Sequence, residues 1–386
     1  MDPEKSMGRK PCLIFNNYYG MRPTDGGPSG FLAQNLLGHP GADYHLGQCH
    51  GEPPRSRWQR FRQGYLHYNR VGTLKKMGMP SDSHFGPWML SARHTFVREN
   101  ARHYPWIWFH DIWGLAACCD LLQSHQKIIL QSHCPELPSE EAASLGIHLP
   151  ELMAVRAAER RAFDRADVCV FPHAGAQAIY APLLKPGTRI EYLLSGSQQL
   201  KTRHTLPLDP KYIYYLYIGR RNAIKGFDII IQAFEQAYRT DASLRLLLVG
   251  GGDPVRHPGI IDLGRSEEPG NWIAACDFFV SANRQSYFDL SVMEALSLGT
   301  PLIIASTGGH RFFADLNAPG ITAIRAANPE LLAQAMLQNR KKRGENRAAT
   351  VSNQKIFDEQ LASEHYRSRL DHLLRQLVTV PADAGS

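Results

Sequence analysis

Tyr217-Ile-Gly-Arg-Arg-Asn-Ala-Ile-Lys-Gly-Phe-Asp228 is the most informative stretch of this chain. A β-branched and aromatic run, Tyr212–Ile218, reads as a strand and ends at Gly219, where the backbone can turn tightly. Arg220 and Lys225 bracket the loop that follows. Phe227, Ile230, Ile231, Phe234 and Tyr238 then fall at helical spacing on one face. Two cations and a glycine at the mouth of a helix form an anion site, because free N–H groups and the helix dipole add to the fixed charges. The alternative is a solvated basic turn between strand and helix.

The same alternation extends in both directions, which is the mark of an α/β chain. Downstream come strand Leu244–Val249, the turn Gly250-Gly251-Gly252, strand Phe278–Ser281, helix Leu290–Leu298 and strand Leu302–Ala305. Upstream, Pro11–Asn16 reads as a strand running into Asp25-Gly-Gly-Pro-Ser-Gly30 and a short helix, Phe31–Leu37. Trp106–Phe109 and Lys127–Gln131 are further strands, ending at His110-Asp111 and at Ser132-His133. Helix 114–124 lies between them, and the amphipathic stretch Leu149–Ala166 leads to strand Val168–Phe171. Residues 195–210 are polar, Pro-bearing and aperiodic, and read as a linker. The tail from about Pro329 to Val380 is charged and helical, and the expected organisation is an N-terminal domain over 1–200, a second over 201–360, and a C-terminal helix over 361–386.

The 386 residues suit two domains, and 43% hydrophobic with 20% charged is the composition of a soluble globular protein. The excess of 43 Lys+Arg over 36 Asp+Glu is spread along both halves, so it is not a nucleic-acid tail. No apolar run is long enough to cross a bilayer, and the N-terminus lacks the apolar core of a secretory signal. Seven scattered cysteines without C-x-x-C argue for a reducing cytoplasm and against a zinc ribbon.

A second segment, Ser286-Tyr-Phe-Asp-Leu-Ser-Val-Met-Glu-Ala-Leu-Ser-Leu-Gly-Thr-Pro301, places Glu294 in the middle of an apolar helix that stops at Gly299-Thr-Pro301. There it needs a partner or solvent. Thr307-Gly308-Gly309 follows the next strand as a close-approach loop. Together, Gly219-Arg220…Lys225-Gly226, Val249-Gly-Gly-Gly252, Glu294-Ala-Leu…Gly299-Thr-Pro301 and Gly308-Gly309 resemble, in order and spacing, the C-terminal domain of GT-B glycosyltransferases. The likeness is to the retaining family 4 group, also described as glycosyl transferases group 1, and covers about residues 212–310. In the N-terminal half the likeness is one of layout, through Gly26–Gly30, His110-Asp111 and Ser132-His133.

The resemblance implies two Rossmann-like domains facing a cleft, with the nucleotide sugar held mainly by the second and the acceptor by the first. The C-terminal helix, 361–386, would cross back to the first domain. It implies that Arg220 and Lys225 hold the donor diphosphate, with Gly219 and Gly251 at the close turns. Glu294 would bind the ribose hydroxyls, and the loop Ser286, Tyr287, Phe288, Asp289, Leu290 would meet sugar and phosphate. Arg265 would line the base, Gly27 the glycine loop of the first domain, and His133 the anomeric carbon. The family usually carries an acid eight positions before the ribose glutamate. Here that position is Ser286, and Asp289 stands where glycine is frequent. Asp289 is a candidate for the missing carboxylate.

No D-x-D occurs in the chain, so no metal is expected and the diphosphate would be neutralised by Arg220, Lys225 and N–H groups. Residues 53–81 hold seven cations and no acid, interleaved with Trp58, Phe61, Tyr65 and Tyr68. That mixture suits an anionic membrane surface or a lipid-linked, phosphate-bearing acceptor, or else a solvated loop. The function expected is transfer of a hexose-type unit, with retention, from a nucleoside diphosphate sugar to an acceptor hydroxyl in surface glycan synthesis. The setting would be the cytoplasm or the inner membrane face. A phosphorylase, a sugar-nucleotide epimerase, or an idle glycan-binding or partner-binding module are the alternatives.

Overall fold

The computed structural model describes residues 10–18, 20–50, 71–204, 206–341 and 346–379. The chain divides into two compact units. The first comprises residues 1–171, 180–193 and 367–386, the second 172–179 and 194–366. The sequence reading put its boundaries at 200 and 361. It had no signal for the exchange at 172–179, because that short insertion carries no linker composition.

The first unit is built on six parallel strands: β1 (Cys12–Phe15), β2 (Tyr44–Leu46), β3 (Trp106–Phe109), β4 (Lys127–Leu130), β5 (Val168–Phe171) and β6 (Arg189–Tyr192). They lie in the order β2-β1-β3-β4-β5-β6. The central strands are buried on both faces, as the near-continuous apolar runs Cys-Leu-Ile-Phe and Val-Cys-Val-Phe require. β1 pairs in parallel with β2 on one side and β3 on the other. The loops leaving β1 and β3 therefore diverge, and the crevice at this reversal is the usual ligand position of open α/β sheets.

The second unit has β7 (Ile213–Ile218), β8 (Leu244–Val249), β9 (Ile260–Gly264), β10 (Phe278–Ser281), β11 (Leu302–Ala305) and β12 (Ile321–Ile324). Their order is β12-β11-β10-β7-β8-β9, all parallel. Numbered within the unit this is 3-2-1-4-5-6, the Rossmann order, with its reversal between β7 and β10. The first unit shares the doubly wound plan but places its second strand at the edge.

Several boundaries differ from the sequence reading. The first helix spans Gly27–Leu36, not 31–37, because Pro28 at its first turn starts the helix inside the glycine loop. Residues 112–118 form the helix expected over 114–124, opened by Asp111 as its N-cap and followed by a short 3₁₀ turn. Helix Phe227–Thr240 buries Ile229, Ile230, Ala233, Phe234 and Ala237, while Phe227, Ile231 and Tyr238 pack at its margin. The two alanines turn the buried face, since a small side chain lets the helix sit closer to the sheet. Helix Gly86–Arg98 and strands β2, β6, β9 and β12 had no expectation attached to them.

Arg221, not Arg220, ties the second unit together. Its side chain is 5% exposed and forks onto both oxygens of Asp262, with further bonds to the carbonyls of Asp253 (2.6 Å) and Gly250 (3.1 Å). The guanidinium hydrogen bonds, outweighing the cost of burial, hold the Asp262 carboxyl well below the usual carboxylate range. Asp262 thus contributes stability that is present above its unfolded pKa and lost as pH falls toward its depressed folded value. Arg221→Ala strands this carboxylate, and we expect a loss of about 3 kcal/mol in unfolding free energy by urea denaturation at pH 7. The gap from wild type should narrow as the pH drops below about 4. Equal stability at pH 7 would show that the pair is a surface contact only.

Candidate functional site

The reversal between β7 and β10 gathers the charged residues of the second unit. Lys225 ends the loop after β7, and Asp289 lies in the loop after β10. Lys225 Nζ donates to Asp289 Oδ1 and Oδ2, both at 2.9 Å, with side chains 18% and 13% exposed. Asn283 Nδ2 donates to Asp289 Oδ2 at 2.7 Å. The fully buried His310, from the loop after β11, brings Nε2 to 3.6 Å from the same oxygen. Burial alone would raise the Asp289 pKa. The Lys225 charge and the contacts with His310 and Lys225 outweigh it and hold the carboxyl below the usual range. Asp289 is the N-cap of helix Leu290–Ser297, yet its side chain makes no capping bond and is turned to Lys225 instead.

Backbone contacts too close for any side chain set this geometry. Gly226 sits at φ +62 at the start of its helix, and a Cβ there would lie 1.8 Å from the Ala282 carbonyl oxygen. Added Cβ atoms at Gly308 and Gly309 would meet the carbonyl oxygens of Ser286 and Tyr287 at 2.1 and 1.6 Å. Ser286, where the resemblance expects an acid, is a staple of this junction. Its hydroxyl donates to the Thr307 carbonyl at 2.7 Å and accepts from the His310 N–H at 3.0 Å. Tyr287 and Phe288 are buried, and Phe288 packs on Phe312 and Phe313.

The other expected residues fall nearby in the same unit. Arg220 is exposed, and its carbonyl accepts from Tyr217 Oη at 2.5 Å. A Cβ at Gly250 would lie 2.1 Å from the Gly219 carbonyl, and one at Gly251 2.9 Å from Arg265 Nε. Gly219, Gly251 and Arg265 therefore share the carboxyl ends of β7, β8 and β9. Glu294 is half-buried, one turn into the helix that follows Leu290. Sequence reasoning missed Asn283 and His310. Asn283 lies two residues past the end of β10 and His310 directly follows a glycine pair, and those positions were the available signal.

Gly27 and His133 lie in the first unit. Gly27 has φ +63 and begins the first helix. His133 Nε2 and His110 Nδ1 are 3.0 Å apart, with one ring donating and the other accepting. Burial, together with His133, keeps His110 well below its ordinary pKa, and burial pushes His133 down to about 3, so the pair is neutral at pH 7. Asp111 accepts from Tyr18 Oη at 2.7 Å and from the Gly114 N–H at 2.5 Å. Burial still raises its pKa against these bonds. Of the basic aromatic stretch, residues 51–70 lie outside the described residues, while Lys75 and Lys76 precede the turn at Gly78.

Comparison with known proteins bears on this geometry. Residues 213–340 match the family model described as glycosyl transferases group 1. The chain is similar to a D-inositol 3-phosphate glycosyltransferase of Nocardiopsis dassonvillei, 28% identical over 181 residues, 41% of this chain and 42% of that protein. It spans less than half the length of the curated relatives it matches. Among solved structures it resembles sucrose-phosphate synthase of Thermosynechococcus elongatus, with TM-score 0.63 and 18% identity over 78% of this chain and 80% of that one. It also resembles Anabaena HepE, solved in complex with UDP and glucose, with TM-score 0.59 and 15% identity over 76% and 83%. No helix among the described residues is long and apolar enough to cross a membrane. Residues 213–340 thus match the glycosyl transferases group 1 model, and the chain shares the α/β architecture of the GT-B glycosyltransferases.

Proposed function

We propose that this protein transfers a hexose-type sugar from a nucleoside diphosphate sugar to an acceptor hydroxyl, with retention, in the synthesis of a surface glycan. The observation that carries the reading is the Lys225–Asp289 pair at the sheet reversal, inside the segment that matches the family model. A cation there is set to receive an anion, and in this structure the Asp289 carboxylate occupies it. On this reading the donor diphosphate displaces Asp289 from Lys225, joined by Arg220 and backbone N–H groups of the 287–290 loop. Glu294 takes the ribose, and Asp289, once released, reads a hydroxyl of the sugar.

In the step itself the bond from the anomeric carbon to the diphosphate oxygen breaks. The acceptor oxygen bonds to the same face, and its proton passes to a phosphate oxygen. Lys225 and Arg220 stabilise the charge gathering on the diphosphate, so no metal is required. His133, neutral and held by His110, is a hydrogen-bonding group for the sugar rather than the base.

A panel of UDP-, GDP- and ADP-hexoses, followed by release of free nucleoside diphosphate, tests the reading. Turnover of one donor supports it, and nucleotide binding without turnover, whatever the acceptor, points to an idle binding module. Lys225→Ala should cut turnover about 100-fold or more with an unchanged circular dichroism spectrum. Arg220→Lys should also lose most activity, because a point charge cannot reproduce the bidentate fork. Near-normal turnover in both variants would place the diphosphate elsewhere.

Asp289→Ala should lower turnover about tenfold or more while free nucleoside diphosphate binds as well as before or better, since its competitor for Lys225 is gone. Parallel loss of affinity and turnover, with donor preference unaltered, would mean that Asp289 does not read the sugar. For the basic stretch, we propose contact with an anionic membrane. Reversing Arg57, Arg60 and Arg62 to Glu should weaken sedimentation with phosphatidylserine vesicles, as should high salt. Undiminished sedimentation of the triple variant would rule the contact out.

A further inference from the structure

The described residues of the first unit form a half-open cavity of about 360 Å³, within the size range of small-molecule sites. Its polar floor comes from the reversal between β1 and β3 and from the neighbouring end of β4. Tyr18 follows β1, His110 and Asp111 follow β3, and His133 follows β4. Its walls are aromatic. Phe85 and Trp113 stack at 4.1 Å and 9° interplanar, and Trp88 packs on Tyr18 at 5.2 Å. All of these residues line the cavity.

We infer that this cavity binds an uncharged sugar ring, presenting its C–H face to the aromatic wall and its hydroxyls to Asp111 and the histidine pair. Resting on the transferase reading above, this makes the acceptor a neutral hexoside and not a sugar or polyol phosphate. Three features select that class. A flat aromatic face removes the apolar side of a pyranose from water without demanding charge. Asp111 is a half-buried carboxyl group, which repels a second anion in a site partly removed from water. His110 and His133 are held neutral by burial and hydrogen-bonded to one another, so this pair supplies no cation to balance a phosphate, and His84 lines the cavity apart from them. What the pair can do is bond hydroxyls, and the buried Nε2 of His110 has no hydrogen-bond partner among the described residues. The cavity thus departs from the phosphorylated acceptor that the basic 53–81 stretch suggests and from the inositol phosphate in the relatives' name.

Saturation-transfer NMR on the full chain tests this with methyl α-glucopyranoside, methyl α-galactopyranoside and methyl α-mannopyranoside against glucose 6-phosphate. At least one neutral hexoside should bind, with saturation strongest on the ring protons of one face. Glucose 6-phosphate should bind about tenfold or more weakly, the cost of an anion beside a half-buried carboxylate. Trp113→Leu should weaken the hexoside about tenfold through loss of stacking while UDP binding stays as in wild type. Phe85→Leu should act in the same direction if Trp113→Leu folds poorly. Tighter or equal binding of glucose 6-phosphate overturns the inference, as does the lack of any hexoside signal sensitive to Trp113 or Phe85. Nucleotide-sugar turnover that appears only with a phosphorylated acceptor keeps the transferase and sinks the neutral pocket. Trp113-dependent hexoside binding without turnover of any donor does the reverse.

Discussion

A lysine and an aspartate held together where a Rossmann sheet reverses direction are the interaction on which the second unit's site depends. Lys225 and Asp289 come from loops 64 residues apart, and both are largely removed from water. Removing one partner of such a pair leaves an uncompensated charge, at a cost of about 3–5 kcal/mol, so the carboxylate gives way readily only to another anion. The glycines around it follow from the same constraint. Gly226 lets the lysine loop press on the Ala282 carbonyl, and Gly308 and Gly309 let the loop after β11 press on the carbonyls of Ser286 and Tyr287. Asn283 and His310 then reach Asp289 from two further strand ends.

The two units use the same architectural opening for opposite chemistry. In each, the loops at a reversal of strand order carry the polar side chains. The second unit fills its reversal with an ion pair and an exposed arginine. The first fills its own with neutral histidines, a carboxyl whose pKa burial raises, and stacked rings. A charged ligand suits the former and an uncharged one the latter, which is the division of labour that the proposed transfer from a nucleoside diphosphate sugar to a hydroxyl would need.

Much of the second unit was legible in the sequence because its central strands are short, buried apolar runs, two of them followed directly by glycine. Leu244–Val249, Phe278–Ser281 and Leu302–Ala305 lie where periodicity puts them. The first unit was less legible. Tyr44–Leu46 is a three-residue edge strand with half-exposed positions, and Arg189–Tyr192 is exposed at both ends and only half-buried between, so neither carries a buried-strand pattern. Lys225 and Asp289 each stood out in the sequence, but their mutual bond did not, since pairing across 64 residues is a property of topology. Ser286 reads in sequence as a lost acid. In the fold its hydroxyl bridges two loops, a role that a longer carboxylate could not fill at the same distances. The aromatic cavity had no linear signature, because Tyr18, Phe85, Trp88 and Trp113 are gathered from three separate loops and helices.

The most direct test is a crystal structure of the chain with the nucleoside diphosphate that binds it best. The account predicts phosphate oxygens within hydrogen-bond distance of Lys225 Nζ and the Arg220 guanidinium, with Asp289 turned away from the lysine. A structure that retains both Lys225–Asp289 hydrogen bonds, with the diphosphate bound elsewhere, would contradict it.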